Sequence, residues 1–235
     1  MARNVRRTPG DVKGGTARRR RARNSLSKDA ILDAGEALAA EGFGAVTMRA
    51  VAARLGAAPM ALYNHFATKD ELVDALLDRV LGRFQPEPET GDWRTDLRRF
   101  AHAHRRLLEQ HPWAVAPLFM QPNPGLSAVR IGEHALGILR RAGLSDAQAV
   151  AAFSGIIALN YGWSSFTTAR DHVPGARGNE VAAMLAMLPA SEYPLSVAVA
   201  AEMGAYGSAE HYAFVLDRLL DGLRGAGGGG RGRPD

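Results

Sequence analysis

The sequence predicts an all-α protein, and three observations favour this fold class. First, the chain has 235 residues, of which 46% are hydrophobic, enough to bury one large or two modest cores. Second, only 7% of the residues are aromatic and isoleucine is scarce, a composition that suits helices better than sheets. Third, apolar residues recur every three or four positions between capping residues and glycines, which is the pattern of amphipathic helices.

The chain contains no cysteine. This composition excludes a disulfide framework and any thiolate metal site, and it agrees with a reducing compartment. The N-terminus is rich in arginine but lacks the apolar segment of a secretory signal. We therefore expect a cytoplasmic protein.

Residues 1–24 are predicted to form a disordered basic arm. The first 23 residues carry eight Arg and one Lys against one Asp, a charge of +8, whereas the net charge of the whole chain is +5. Apolar residues are scarce in the arm, so we expect it to stay unfolded until it meets a polyanion. The run RRRRAR at 18–23 favours contact with DNA phosphates or the minor groove. A tail that only increases solubility is the alternative.

Two helices are predicted directly after the arm. Ser27 can cap a first helix that continues to about Ala40, and Gly42 provides its stop. Thr47 can cap a second helix, which Gly56 ends.

Two further helices complete the first folded region. A short third helix covers 59–65, with Pro59 in its first turn. Thr68 and Glu71 have the spacing of a Thr-x-x-Glu capping box, which predicts the start of a longer helix over 69–84.

The turn-rich segment QPEPETGD at 85–92 is the predicted domain boundary. It separates a domain at 25–84 from a larger helical domain at 92–224, and a glycine-rich tail at 225–235 is expected to be flexible. The larger domain is predicted to contain helices over 92–113, through Ile131 to Leu139, after Ser145, near 179–188 and over 209–223, with a proline-containing joint at 189–194.

Residues 147–169 carry no charge and are long enough to cross a bilayer. However, the segment contains Gln148, Asn160 and several Ser and Thr residues, which is too polar for a helix that faces lipid. A helix buried on most sides within protein fits better, and no membrane contact is expected.

The first folded region resembles a TetR-family DNA-binding domain. A helix of about nine residues, a glycine turn and a second short helix form a helix-turn-helix, a weak signal when it stands alone. The resemblance of residues 27–84 is much more specific, because it includes Thr47, Val51, Ala52, Leu55, Gly56, Leu62, Tyr63, His65, Phe66, Lys69 and Leu72.

The resemblance implies binding to double-stranded DNA at a pseudo-palindromic operator. The family positions matching Thr47, Tyr63, His65 and Lys69 hold phosphates, and hydroxyl, imidazole and ammonium groups suit that role. The positions matching Met48, Pro59, Met60, Ala61 and Asn64 approach base edges.

Among the implied base contacts, Asn64 has the only hydrogen-bonding side chain, whose amide suits adenine. Pro59, Met60 and Ala61 can offer apolar contact to thymine methyl groups. In many relatives a Ser or Thr caps the third helix, which is the recognition helix of the family, and this chain has Ala58 at that position. The loss of such a cap costs about 1 kcal/mol, which the fixed φ of Pro59 partly offsets.

The second region resembles, more loosely, the C-terminal domain of the tetracycline-repressor branch. The matching pieces are Trp93 with Leu97 and the strings RRLLEQHPW, RRAGLS and FVLDRLLDGL. The resemblance implies a homodimer formed through residues 146–170 and 208–224. In that dimer, small residues at Gly155, Ala158 and Gly162 would permit close helix approach, while Ile156, Leu159 and Trp163 would supply apolar area.

The same resemblance implies a pocket in the second domain for an unknown small-molecule effector. The candidate pocket residues are mainly apolar with a few polar groups: Phe100, His104, Trp113, Leu118, Phe119, Met120, Asn160 and Trp163. Ordinary core packing is the alternative for each of them. Gln85 and Leu118 stand where tetracycline-binding members carry histidines, so a tetracycline and magnesium ligand is not expected, nor any cofactor or metal.

The expected function is a repressor that a small, mainly apolar molecule releases from DNA. One alternative is a DNA-binding protein of low sequence specificity without an inducer, which the arm favours and the large second domain does not. A helical enzyme is the other alternative. His102 and His104 diverge by about 200° on a helix and cannot share a metal, and no catalytic motif is present.

Overall fold

The computed structural model describes residues 26–120, 125–171 and 177–223. The predicted basic arm at 1–24 and the predicted tail at 225–235 lie outside the described residues. Within the described part every regular element is helical, as the composition predicts. The α-helices are α1 Lys28–Glu41, α2 Met48–Arg54, α3 Pro59–Tyr63, α4 Lys69–Leu81, α5 Trp93–Gln110, α6 Pro112–Met120, α7 Leu126–Arg141, α8 Asp146–Asp171, α9 Arg177–Ala186, α10 Pro194–Ala198 and α11 Ala209–Leu223. Two short 3₁₀ helices occupy Phe43–Ala45 and Glu202–Ala205.

The three side-chain caps predicted in the first region are confirmed. Ser27 Oγ accepts from the backbone N–H of Ala30 at 3.1 Å, and Thr47 Oγ1 accepts from Ala50 at 3.0 Å. Thr68 Oγ1 accepts from the N–H of Glu71 at 3.1 Å. Each cap satisfies one of the backbone donors that a helix start leaves without an intrahelical partner.

The fourth helix is shorter than predicted. It ends at Leu81 instead of near Phe84, because its last turn tightens into hydrogen bonds from Arg83 N–H to Val80 and from Phe84 N–H to Leu81. Pro86 follows and disfavours a helical conformation for the residue before it. With 13 residues, α4 spans roughly 20 Å.

Helix α4 contributes to two hydrophobic cores. Leu72 and Leu76 belong to the core of the first three helices. On its other face Val73, Leu77 and Leu81 belong to the larger core built by α5 to α8 and α11. The predicted boundary at 85–92 therefore follows a helix that both cores share.

Helix α6 is absent from the sequence prediction, which continued the previous helix to residue 113. The structure ends α5 at Gln110 and places His111 outside helical geometry, with φ −132° and ψ 60°. The cause is Pro112, which disfavours the helical region at the preceding residue and then begins α6. Further along, α10 and the second 3₁₀ helix lie almost wholly between the predicted joint at 189–194 and the predicted last helix, where no element was predicted.

The uncharged segment forms the central part of α8. Its inward side repeats every three or four residues through Ala149, Ala152, Ile156, Asn160 and Ser164, all buried. None of the helices in the described part of the chain has the length and hydropathy that a bilayer crossing requires. The buried side of α8 packs within the protein, as the sequence predicts.

Candidate DNA-binding surface and ligand cavity

The helix-turn-helix is held by a small core. This core contains three wholly buried residues, Ile31 of α1, Val51 of α2 and Leu62 of α3. Phe66 packs with them and is 5% exposed. Gly56 turns the chain between α2 and α3 with a φ of +62°, a conformation that favours glycine. Because Leu62 and Phe66 anchor the third helix from one side, the opposite side is left for contacts outside the domain.

The four residues expected to hold phosphates are at least partly accessible. Thr47 is exposed, and since its oxygen only accepts within the cap, its hydroxyl proton remains available to a phosphate. Tyr63 is 44% exposed and His65 is half-buried. Lys69 is exposed as the first residue of α4. These groups offer hydrogen-bond donors and one positive charge beside the third helix.

Four of the five residues expected near bases are at least partly accessible. Met60 is 72% exposed, Pro59 and Asn64 are exposed, and Ala61 is half-buried. The third helix has no side-chain cap at Ala58, as the sequence indicates. It is also shorter than predicted, since Tyr63 is its last residue.

Met48 does not match the expectation of a base contact. Its side chain is only 7% exposed and packs in the core of the first domain. The reason is its position four residues before Ala52, which lies on the inward side of α2. Little of its surface is left for a base edge.

Arg49 is a candidate that the sequence analysis missed. It is exposed in the first turn of α2, and its guanidinium makes no ion pair with any described residue. In contrast, Arg54 at the end of the same helix pairs with Glu41 at 2.7 Å. A cation at a helix N-terminus opposes the helix dipole, and this unfavourable placement is the signal that could have identified it as a residue for an external anion.

A cavity of about 600 Å³ lies in the second domain and opens to solvent. This volume is typical of sites for small molecules. Its walls are mainly apolar, and they come from α4 to α8: Leu81, His104, Leu118, Phe119, Ala128, Val129, Ile131, Gly132, Glu133, Leu136, Val150, Phe153, Ser154, Ile157, Ala158 and Tyr161.

Three predicted ligand residues line this cavity, namely His104, Leu118 and Phe119. Two others lie behind its wall. Phe100 stacks on the His104 ring with a centroid separation of 6.2 Å, and Asn160 is wholly buried and bonded to the same imidazole.

The remaining three predicted ligand residues lie elsewhere. Met120 is 77% exposed at the end of α6 and does not line the cavity. Trp163 donates its indole N–H to the carbonyl of Gly207 at 3.2 Å. Trp113 stacks on Phe43 of the first domain, with 6.3 Å between centroids and 7° between planes. Spacing along a helix identifies inward residues, but it does not reveal which internal space each one meets.

One whole wall of the cavity was not predicted from the sequence. Phe153, Ile157 and Tyr161 lie four residues apart along α8 and present one stripe to the cavity. This stripe runs beside the buried stripe that contains Ile156 and Asn160. The presence of two adjacent apolar stripes on one helix is the signal that could have revealed it.

A buried polar network stands behind the cavity. Asn160 donates from Nδ2 to the carbonyl oxygen of Ala101 at 3.0 Å and lies 3.1 Å from Nδ1 of His104. The hydroxyl of Tyr212 donates to Asn160 Oδ1 at 2.6 Å, and Arg105 lies over the Tyr212 ring at 4.2 Å. The network joins α5, α8 and α11.

Burial keeps two cavity groups neutral. The pKa of His104 falls to about 4, because the imidazole is almost wholly removed from water. Burial likewise raises the pKa of Tyr161 to about 12. At neutral pH the inner cavity therefore presents an uncharged imidazole and an uncharged phenol.

The junction between the two domains is charged and forms a separate crevice of about 800 Å³. Arg83, which follows the end of α4, pairs with Glu36 of α1 at 2.7 Å. Arg79 within α4 pairs with Asp33 of α1 at 2.5 Å. The side chain of His111 borders the crevice, and burial together with the Arg83 charge lowers its pKa. Walls with paired charges suit an interdomain contact better than an apolar ligand.

Helix α8 carries the small residues Ala151 and Gly162 on its exposed side, whereas Gly155 is half-buried and faces Leu219 of α11 in the same protomer. On α11, Phe214 is 66% exposed and Val215 is 39% exposed. Ile156, expected to supply area for a dimer, is instead wholly buried within the protomer.

Comparisons with known proteins match both regions of the chain. The family model described as "Bacterial regulatory proteins, tetR family" matches residues 31–76, and the model "Tetracyclin repressor-like, C-terminal domain" matches residues 85–226. The HTH-type transcriptional repressor DrrR1 of Streptomyces coeruleorubidus is 30% identical over 211 residues, which cover 85% of this chain and 77% of that protein. An HTH-type transcriptional regulator of Saccharopolyspora erythraea is 36% identical over 146 residues, which cover 61% of this chain and 62% of that protein.

Among solved structures, ActR of Streptomyces coelicolor in complex with actinorhodin superimposes with a TM-score of 0.79 at 26% identity. The match covers 86% of this chain and 99% of the ActR chain. The apo form of ActR matches with a TM-score of 0.76. Most of the chain therefore shares its fold with a TetR-family protein that has been crystallised in complex with actinorhodin.

Proposed function

Since the chain belongs to the TetR family of bacterial regulatory proteins, we propose that it is a repressor that a small, mainly apolar molecule releases from its operator. One structural observation supports this function above the others. Helix α4 begins with Lys69 at the candidate DNA surface and ends with Leu81 in the wall of the ligand cavity. A single rigid element thus touches both sites.

We assign two kinds of DNA contact to the first domain, residues 25–84. Thr47, Tyr63, His65 and Lys69 hold phosphates, and Arg49 joins them as an exposed cation without a described ion pair. The accessible residues of the third helix and its C-cap, namely Pro59, Met60, Ala61 and Asn64, face the bases, and Asn64 is the residue that forms hydrogen bonds to them.

The second domain, residues 92–224, is proposed to dimerise through α8 and α11. The exposed small residues Ala151 and Gly162 of α8 permit close approach of a second copy, and Phe214 of α11 supplies exposed apolar area. A two-fold dimer presents two recognition helices to a pseudo-palindromic site in cytoplasmic DNA.

The ligand proposal rests on the cavity and on the ActR likeness. ActR has been crystallised in complex with actinorhodin, and the cavity here is mainly apolar and of suitable volume for an organic molecule. Release requires the ligand to bind the free dimer more tightly than the DNA-bound dimer. Linkage then lowers DNA affinity by the same factor, typically about 5-fold to 150-fold.

Helix α6 provides a second path between the sites. Its C-terminal part places Leu118 and Phe119 at the cavity, and its first turn places Trp113 against Phe43 of the DNA-binding domain. A ligand that displaces either α4 or α6 therefore changes the position of the first domain relative to the second.

The function is tested with DNA selected from a random-sequence pool. The selected site should bind the dimer at least about 10³-fold more tightly than unrelated DNA. A thermal-shift screen then supplies cavity ligands, which are titrated against the complex. Equal affinity for selected and unrelated DNA would contradict a role in sequence-specific regulation. If several cavity ligands all leave operator affinity unchanged, only the claim of release by a ligand is contradicted.

A further inference from the structure

The buried network around Asn160 fixes the hydrogen-bonding role of His104. The backbone carbonyl of Ala101 can only accept a hydrogen bond. The Asn160 atom that lies 3.0 Å from it must therefore be the amide nitrogen Nδ2. The opposite amide atom, Oδ1, accepts from the Tyr212 hydroxyl at 2.6 Å, which agrees with the same orientation of the side chain.

This orientation determines the tautomer of the histidine. The second hydrogen of Asn160 Nδ2 points to Nδ1 of His104 at 3.1 Å, so Nδ1 must accept. A neutral imidazole carries one proton, and that proton must then be on Nε2. The imidazole is neutral because burial lowers its pKa to about 4.

The remaining polar atom of the ring is available to a ligand. His104 lines the cavity, and no described residue forms a hydrogen bond with its Nε2. The ring of Tyr161 lies edge-on at 5.7 Å, and its hydroxyl also has no hydrogen-bond partner in the described part of the chain. Two neutral donors thus belong to adjacent rings in a mainly apolar wall.

We propose that the cavity selects a neutral, mainly apolar molecule bearing a carbonyl-type oxygen, which accepts a hydrogen bond from His104 Nε2–H. The proposal rests on the function proposed above and specifies the chemistry of its ligand. A wholly apolar molecule of equal shape leaves this donor unpaired, and an unpaired buried donor disfavours binding. Asn160 acts as a positioning residue, because it fixes the donor without lining the cavity.

Two flat probes of nearly equal shape test the selection, namely 9-fluorenone, which has a carbonyl group, and fluorene, which lacks it. Their dissociation constants are measured by calorimetry with wild-type protein and with His104→Phe, which keeps an aromatic ring and removes the donor. The ratio of the fluorene constant to the fluorenone constant should fall about tenfold in the variant. His102→Phe is the matched control, since His102 lies on the same helix outside the cavity wall, and it should keep the wild-type ratio.

Nitrogen-15 NMR of the histidine side chains reads the tautomer directly. In the wild-type protein His104 should carry its proton on Nε2, and fluorenone should shift that signal while fluorene should not. Asn160→Asp replaces the amide donor by a carboxylate that only accepts, so Nδ1 of His104 should become protonated. A role of Asn160 in packing alone predicts no change at Nδ1.

The proposal is overturned by a proton on Nδ1 in the wild-type protein, by a probe ratio within about twofold between wild type and His104→Phe, or by failure of both probes to bind. These results leave DNA release by a different kind of ligand possible. Conversely, selective fluorenone binding that leaves operator affinity unchanged supports the ligand chemistry and contradicts the release function.

Discussion

Asp78 of α4 accepts a 2.8 Å hydrogen bond from the backbone N–H of Ser127 in the first turn of α7. The residue that precedes this helix, Gly125, provides no side-chain cap, so a carboxylate from another helix performs that role. Since α7 continues into the cavity wall at Val129 and Gly132, the contact ties α4 directly to the ligand site.

Removal of this contact should destabilise the protein. We expect Asp78→Ala to lower the free energy of unfolding by about 1 kcal/mol, as the loss of a helix cap does. Asp74→Ala on the same helix is the control, because Asp74 has no hydrogen-bond partner in the described part of the chain. Urea unfolding measures both variants.

Gly125→Ala provides a second test of the same contact. An added Cβ at residue 125 would lie 2.3 Å from Asp78 Oδ1, so the carboxylate must move. The substitution should therefore cost more in the wild-type protein than in Asp78→Ala, where the obstacle is gone. Additive effects in the double variant would show that the two residues do not meet.

The Trp113 contact with Phe43 should carry part of the communication between the sites. Trp113→Leu should keep the affinity for cavity ligands and reduce the effect of a ligand on operator affinity several-fold, since stacked pairs contribute about 0.5 to 1.5 kcal/mol. Met120→Ala, at the exposed end of the same helix, should change neither quantity. Unchanged ligand response in Trp113→Leu would leave α4 as the path.

The phosphate and base contacts should differ in their sequence dependence. Lys69→Ala should weaken binding to operator and to unrelated DNA equally, and it should reduce the slope of log affinity against log salt by about 0.9. Asn64→Ala should cost about 1 to 3 kcal/mol at one base position only. Affinities for a set of singly substituted operators separate these patterns; a loss confined to the operator in Lys69→Ala would contradict its phosphate role.

The dimer is best tested on α11. Ala158, which the sequence placed on the dimer face, lines the cavity, so its substitution would disturb two sites. Phe214→Asp should give monomers at micromolar concentration, because it places a charge in the proposed apolar interface. Met187→Asp, at a residue that is 86% exposed outside α8 and α11, should leave the dimer intact. Analytical ultracentrifugation measures both, and a monomeric wild-type protein would remove the assignment.

The buried His104 should make the protein sensitive to acid. Its native pKa of about 4 lies below the ordinary value of 6.5, so between these values the unfolded chain binds more protons. Stability therefore falls as the pH falls through this window, by roughly 3 kcal/mol at pH 4 relative to pH 7. His104→Phe lacks this contribution. Urea unfolding of both proteins should therefore show that the free energy of unfolding of the wild type, relative to that of the variant, falls by this amount between pH 7 and pH 4. A constant difference would contradict the burial of a neutral imidazole.

Local signals in the sequence predicted the first domain well. Ser27, Thr47 and Thr68 cap their helices through a bond to a residue three positions later, so the evidence for each lies within one turn. The length of α4 was less predictable, because its end depends on how a final turn tightens before Pro86.

The ligand domain was less predictable, because its site is defined by which helices meet. Both Leu118 and Trp113 are inward residues of α6, yet the first lines the cavity and the second contacts Phe43. Periodicity cannot separate them, since the distinction depends on the neighbouring helix. The role of Asn160 likewise requires knowledge that Ala101, His104 and Tyr212 converge on one amide.

The division of α4 between two cores limits how such regulators can be recombined in engineering. A hybrid sensor made by joining residues up to 84 to a foreign ligand domain would carry Val73, Leu77 and Leu81 into a partner that did not evolve to receive them. Exchange within α4 would transfer that face with its own core while Leu72 and Leu76 stay with the DNA-binding domain. A productive exchange therefore replaces the buried positions on one face of α4, instead of joining the two proteins at a single point along the chain.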